Sequence, residues 1–395
     1  MDESKVASAS LHAISEMVER PTSIAEGLPG RAYYDGDFYQ LERERLFARG
    51  WMAVGFASDI PKPGDMEPIT IAEWELVMVR GQDGIVRCFH NICRHRGMRV
   101  VKEKTNRPSI VCSYHCWGYK LNGALIGTPN IAGIQKGDAP GFNKSELGLL
   151  PVRCDTWNDL VFVNLDGNAG SLQDHMQPAD VRTQHFDMTR AVAWPDEISF
   201  TFEANWKIAI ESGIEDYHLP YVHKKWLTYS DDYATEDGGD TYHGFSSRRS
   251  LAETRERYTK GLDSGDIPLK SFPYYEVNDK AEAISLYLMP NANVFYSPTM
   301  VKVQYFIPRG PERTISRSKA YFVDEAATAP EYDQARQTAM SFFKEVVKED
   351  IDYIQTVQSL ARARNALNLN TRYSPHWEAA LHGFHRYIVR NLQNR

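Results

Sequence analysis

The chain has 395 residues, 42% of them hydrophobic and 12% aromatic, with a formal net charge of −7. That length exceeds one ordinary small domain and suits two, or one core with a large appendage. The acidic balance, with no long basic run, excludes nucleic acid as an expected partner, and no apolar run approaches the roughly 18–20 residues that cross a bilayer.

The first twenty residues, MDESKVASASLHAISEMVER, lack the charged-then-apolar pattern of a secretory signal, and five cysteines do not describe a disulfide framework. A cytoplasmic location is expected. Residues 1–44 read as a short helix, a Pro/Gly break (LPGRAYYDGD) and a second helix (DFYQLERERLFA). From Trp51 the texture changes to short alternating runs such as WMAVGFA, ELVMVRG and LVFVNLD, separated by turn signals such as PKPGD and GQDG. Residues 45–165 therefore read as an all-β domain, and residues 1–44 with 166–395 as a second domain. In the latter, ANWKIAIESGIEDYHLPYVH begins as a helix that Pro220 stops. Residues 225–280 show little periodicity and read as long excursions, a candidate lid. Strands return at AISLYLMP, NVFYSP, MVKVQYFIP and SRSKAYFVD, and a long helix follows over 330–365.

Within the β domain, CRHRG and CSYHCWG each set one cysteine beside one histidine: Cys93 with His95, Cys112 with His115. Four such ligands on two loops suit a structural zinc ion or an iron–sulfur cluster. Zinc loops commonly present like ligands, Cys with Cys and His with His. A mixed pair on each loop favours a cluster with one all-cysteine and one all-histidine iron, the Rieske [2Fe–2S] centre. Free Cys88, Cys116 and Cys154 read as buried packing residues.

The segment CRHRG…CSYHCWGYKLNG resembles the cluster-binding segment of Rieske non-haem iron oxygenases, large (alpha) subunit. The match includes Arg-Gly after the first histidine and Trp-x-Tyr after the second. It implies Cys93, His95, Cys112 and His115 as cluster ligands. Cys116 departs from the small residue usual there.

His218 and His223, five apart around Pro220, carry little weight alone, since most such pairs are surface or core residues. Two histidines and a carboxylate do form the facial triad of non-haem iron(II) oxygenases, and the upstream Asn-Trp-Lys again resembles the family. For the third ligand, Val346, Asp350, Ile354 and Val357 fall on one otherwise apolar helical face. A carboxylate there needs a partner or a metal. Asp350 is the expected ligand, with Asp352 and Glu349 as fallbacks; the family also places Gln eight residues after its Asp, as Gln358 stands here. Among the acids before His218, helical geometry puts Glu215 and Glu211 on its face and turns Asp216 away. In the family, the acid three before the first histidine links it to a cluster histidine. Glu215 matches, and glutamate there is similar to the branch acting on carnitine, glycine betaine and choline.

The resemblance implies an α+β fold: an all-β Rieske [2Fe–2S] domain inserted in a helix-grip-like catalytic domain with an antiparallel sheet and a long C-terminal helix. It implies a terminal oxygenase using a [2Fe–2S] cluster, mononuclear Fe(II) and O2. Electrons would come from NAD(P)H through a flavin/iron–sulfur reductase or a ferredoxin, and the assembly would be a homotrimer. The expected substrate is a small N-methylated or quaternary ammonium compound, caged by Tyr and Trp side chains within 226–245 through cation–π attraction. Three alternatives stand beside it: an aromatic ring hydroxylase, a zinc-stabilised binding module, and a Rieske electron carrier without catalysis.

Overall fold

Alternating apolar runs between 52 and 164 pair as antiparallel strands. The computed structural model describes residues 3–225, 227, 229–230, 232–253, 267–277 and 280–393. The chain divides into two units: Phe47–Gln173, and the segment ending at Leu46 together with that starting at Asp174.

The first unit contains β1 (Met52–Phe56), β2 (Asp65–Ile71), β3 (Trp74–Arg80), β4 (Val86–His90), β5 (Thr105–Asn106), β6 (Ile110–Val111), β7 (Gly118–Tyr119), β8 (Leu125–Gly127), β9 (Pro151–Trp157) and β10 (Leu160–Asn164). Seven strands form one sheet in the order β1-β10-β9-β4-β3-β2-β5, and β6-β7-β8 form a second. Two-residue turns at Ala72–Glu73 and Asn158–Asp159 hold all four residues at positive φ, the geometry whose twist suits antiparallel hairpins. Val77, Val79, Phe89, Trp117, Tyr119 and Leu121 pack together, and Cys93 and Cys112 belong to this cluster.

The second unit holds an antiparallel sheet of β11 (Ala191–Ala193), β12 (Ile198–Phe202), β13 (Tyr233–Asp237), β14 (Tyr242–Ser250), β15 (Lys280–Leu288), β16 (Ala292–Ser297), β17 (Met300–Pro308) and β18 (Thr314–Val323). Its order is β11-β18-β17-β16-β15-β14-β13, with β12 also on β18. The helices in chain order are α1 (Glu3–Val18), α2 (Gly36–Glu42), α3 (Leu172–Thr183), α4 (Trp206–Glu211), α5 (Leu219–Val222), α6 (Pro273–Glu276), α7 (Asp333–Ala366) and α8 (Ala379–Gln393). Ala339, Met340, Phe342 and Phe343 of α7 pack on Met300, Ala320 and Phe322 of the sheet. Each large apolar side chain fully buried in this way contributes about 1.5–3 kcal/mol. No helix among the described residues is long and apolar enough to cross a membrane.

Three expectations are corrected. The stretch 225–280 is not a structureless excursion: it supplies β13 and β14. Their Gly, Ser and Asp content hid the alternation; residues 254–266 lie outside the described set. The helix before His218 does not run to Pro220. It ends at Glu211, and Pro220 stands in the first turn of α5, where its missing N–H costs nothing. Cys116 is exposed rather than buried. Its backbone is left-handed (φ 55), a conformation that favours glycine.

Candidate active site

Asn205 starts the segment that carries the two histidines. Its side-chain oxygen accepts the Lys207 backbone N–H at 3.0 Å and caps α4. Lys207 Nζ donates to Glu42 Oε1 at 2.6 Å, and Trp206 Nε1 donates to Glu42 Oε2 at 3.0 Å. The lysine and glutamate are both fully buried. The Asn-Trp-Lys run is thus an anchor for α4, not part of the chemistry. After α4 the chain breaks at Gly213, where any side chain would strike the Tyr287 hydroxyl.

The break changes which acids serve His218. Glu215 lies beyond α4, and its Oε1 sits 2.5 Å from His218 Nδ1. Its other oxygen accepts the Tyr217 backbone N–H. Glu211, expected on the same face, instead ends α4 and accepts from Tyr33 Oη and His385 Nε2, each at 2.9 Å. Asp216 does not turn away: it is buried and lines the same cavity as His218. With the helix ended at Glu211, the 3.6-residue period that sorted these acids does not reach them.

From α7, Asp350 Oδ1 lies 3.2 Å from His223 Nε2 and 3.8 Å from His218 Nε2. His218, His223 and Asp350 are a set whose ligand atoms all fall within 4.8 Å of one another, and among the described residues no other set of three His, Cys or acidic side chains meets that limit. Glu349, a fallback ligand, sits behind His223 and accepts at Nδ1 (2.8 Å). Asp352 is exposed. Val346, Asp350 and Ile354 share the cavity-lining face as expected, but that face does not run on to Val357. Val357 is 40% exposed, and the buried positions continue as Ile354, Gln358 and Ala361. Gln358 ties α7 to two other segments. Its Oε1 accepts the Asn205 N–H at 2.9 Å, and its Nε2 donates to the Tyr33 carbonyl at 3.1 Å.

This arrangement suits a divalent cation. Glu215 and Glu349 each accept a hydrogen bond from the Nδ1–H of one histidine, which fixes the tautomer and turns the Nε2 lone pair toward Asp350. His223 Nε2 is buried with no hydrogen-bond partner, a costly state for a protein atom unless a ligand meets it. Burial alone would push the His218 imidazole down, yet the hydrogen bond and charge of Glu215, together with Asp350, hold it above the usual histidine value. The acids thus favour positive charge at this point.

A cavity of about 170 Å³ opens beside the trio. Phe202, Phe342, Phe343 and Ile354 line it together with the sheet face. Alternate strand residues point one way, and register sets two rows across that face. One row runs Phe245, Ser285, Phe295, Lys302; the other runs Tyr287, Asn293, Gln304. Lys302, which no sequence motif singled out, is pushed down to about 8 by burial, against the attraction of Asp350. From the stretch 226–245, Leu227 and Phe245 line the cavity, but no Tyr or Trp of the expected cage is among the described lining residues. Tyr229 and Tyr233 pack on Trp377 instead, with ring centroids at 4.5 and 4.8 Å, and Trp226 lies outside the described residues.

In the other unit, Cys93 follows β4 and Cys112 follows β6. Both thiols are buried, while His115 is exposed and His95 partly so. The two imidazoles meet edge to face at 4.5 Å, and His95 stacks on Trp117 at 4.7 Å. The four donors do not converge on one point as a single tetrahedral zinc ion would require. A two-iron cluster separates its thiolates from its imidazoles in this manner. Tyr119 Oη accepts the Arg94 N–H at 3.2 Å, so its own proton is available to Cys93 Sγ, also at 3.2 Å.

Comparison with known proteins agrees. Residues 50–138 match the Rieske [2Fe-2S] domain, and residues 181–394 match the ring hydroxylating alpha subunit (catalytic domain). The carnitine monooxygenase oxygenase subunit of Escherichia coli (strain K12) is 25% identical over 346 residues, covering 85% of this chain and 84% of that protein. Biphenyl 2,3-dioxygenase subunit alpha of Rhodococcus jostii (strain RHA1) is 35% identical over 210 residues, 52% of this chain and 44% of that one. A solved quaternary ammonium Rieske monooxygenase superposes with a TM-score of 0.78 at 21% identity, covering 96% of this chain and 98% of that one, and so shares the fold. The protein is an oxidoreductase of the Rieske non-haem iron oxygenase class. It belongs to the ring-hydroxylating alpha subunit family, whose members carry a Rieske cluster and a mononuclear iron and oxidise small molecules with O2 and supplied electrons.

Proposed function

We propose that this chain hydroxylates the N-methyl group of a quaternary ammonium compound, with His218, His223 and Asp350 holding the mononuclear iron and Cys93, His95, Cys112 and His115 holding the cluster. When bound, these groups supply single electrons and O2 activation. The chain's own residues bind, orient and hold protons. Glu215 and Glu349 keep both Nδ1 protons in place, and Glu215 is the acid that would couple His218 to a cluster histidine. That coupling calls for a head-to-tail homotrimer and a flavin/iron–sulfur reductase or ferredoxin as electron donor. Five unpaired cysteines suit a reducing cytoplasm.

The observation that carries the substrate reading is the cavity wall. Phenyl rings from Phe202, Phe245, Phe295 and Phe343 and the acids Glu215 and Asp216 line the same cavity as the metal-binding trio. Ring faces and carboxylates attract an ammonium head. Ser285, Asn293 and Gln304, on the same sheet face, add hydrogen-bonding groups, which a hydrocarbon would desolvate without return. The relative aligned over most of this chain is named for carnitine.

In the reaction, one oxygen atom of O2 enters a methyl C–H bond, and the other leaves as water with two electrons and two protons. The resulting N-hydroxymethyl group breaks its C–N bond, giving formaldehyde, the tertiary amine and a proton. The test is formaldehyde release from trimethylammonium compounds with NADH and a surrogate reductase. Ring cis-diols from biphenyl, with no formaldehyde from any ammonium compound, would establish the aromatic alternative that the Rhodococcus relative represents.

A further inference from the structure

Lys302 stands on the sheet wall of the cavity, in the row Phe245, Ser285, Phe295, Lys302. No other lysine or arginine is among the described residues lining that space. Its ammonium group donates to Gln304 Oε1 at 3.2 Å and lies 4.9 Å from the centre of the Phe343 ring. It makes no ion pair with any described residue. A lysine has three N–H donors, and one is used here. The negative charge it feels most is Asp350, which the iron site would neutralise. A half-buried cation facing a cavity without a counter-ion is costly unless the occupant supplies one.

We propose that Lys302 is a specificity-determining residue that binds a carboxylate on the substrate, so that the compound oxidised carries an acid group. The inference rests on the cavity being the substrate site, and it narrows the proposed class from ammonium compounds in general to those that also bear a carboxylate. A plain cation such as choline would place no group against Lys302 and would leave two positive charges in one small space. A zwitterion answers both needs: its carboxylate meets Lys302 with Gln304 beside it, and its ammonium head meets the acids and the phenyl rings that Lys302 leaves free.

The experiment is calorimetric binding to the metal-loaded, oxidised protein without reductant, so that no turnover intervenes. The probes are γ-butyrobetaine, its methyl ester and hexanoate. The wild-type protein is expected to bind the betaine at least about tenfold more tightly than the ester, the scale of one charge-assisted hydrogen bond. Lys302→Met should erase that preference without weakening ester binding, and Lys302→Arg should keep most of it. Equal binding of betaine and ester by the wild-type protein, or no binding of any carboxylate, overturns the inference without any variant. A parallel loss of acid and ester in Lys302→Met overturns it too. Hexanoate binding that depends on Lys302 while neither ammonium compound binds would uphold the role of Lys302 and sink the ammonium reading. Tight ester binding with no gain for the acid would do the reverse.

Discussion

The two candidate metal sites are assembled by opposite strategies. Cys93, His95, Cys112 and His115 lie close along the chain, on two loops of one small β unit. Their setting is local: Tyr119, in the next strand after Cys112, reaches Cys93. The His218, His223 and Asp350 site is long-range. Glu349, which braces His223, lies 126 residues further along the chain, and only the docking of α7 on the sheet brings it there. A local site needs little chain entropy to close, whereas a long-range site depends on the whole packed unit. The second site should therefore be the more fragile one.

Asp350→Ala should separate the sites most sharply. Mononuclear iron should be lost and turnover should fall on the order of a thousandfold or more, while the visible absorption of the cluster is unchanged. Iron content and spectrum measure this; bleaching of the cluster in the same variant would break the claim of independence. Lys207→Met comes next. It leaves Glu42 charged and buried, at a cost of roughly 3–5 kcal/mol to the second unit. In a urea titration, iron release should move to lower denaturant while cluster absorbance keeps its wild-type midpoint. A single shared transition would show that the units do not unfold separately.

A smaller effect is expected for Glu349→Gln, which keeps the shape but weakens the hold on the His223 Nδ1 proton. Iron affinity should drop about 10–100-fold, as for other carboxylates behind a metal-binding histidine, in a competition assay with a chelator. Unchanged affinity would return Glu349 to the role of a surface acid. The smallest effect belongs to the local site. Tyr119→Phe removes one hydrogen bond to Cys93 Sγ, which should lower the cluster potential on the order of 40 mV, about one hydrogen bond expressed for a one-electron couple. Protein-film voltammetry reads this directly, and a potential that stays or rises would mean the hydroxyl does not donate to sulfur.

The sequence by itself determined what depends on short spacing. Strand alternation marked β15 to β18, cysteine beside histidine marked the cluster loops, and His218 with His223 marked the second site. Glu215 was also legible, through its position three before His218, although the helical face used to choose it is absent because α4 ends at Glu211. Tertiary structure alone decided the rest. The fates of Glu211, Asp216 and Glu349 depend on which distant groups reach them: His385 for the first, the cavity for the second, His223 for the third. Lys302 is the plainest case. In MVKVQYFIP, alternation shows that Lys302 and Gln304 share a face, and a polar face on a strand ordinarily looks into water. Here that face looks into the cavity. Period two fixes which side chains point together, but only the packing of α7 over the sheet fixes what they point at.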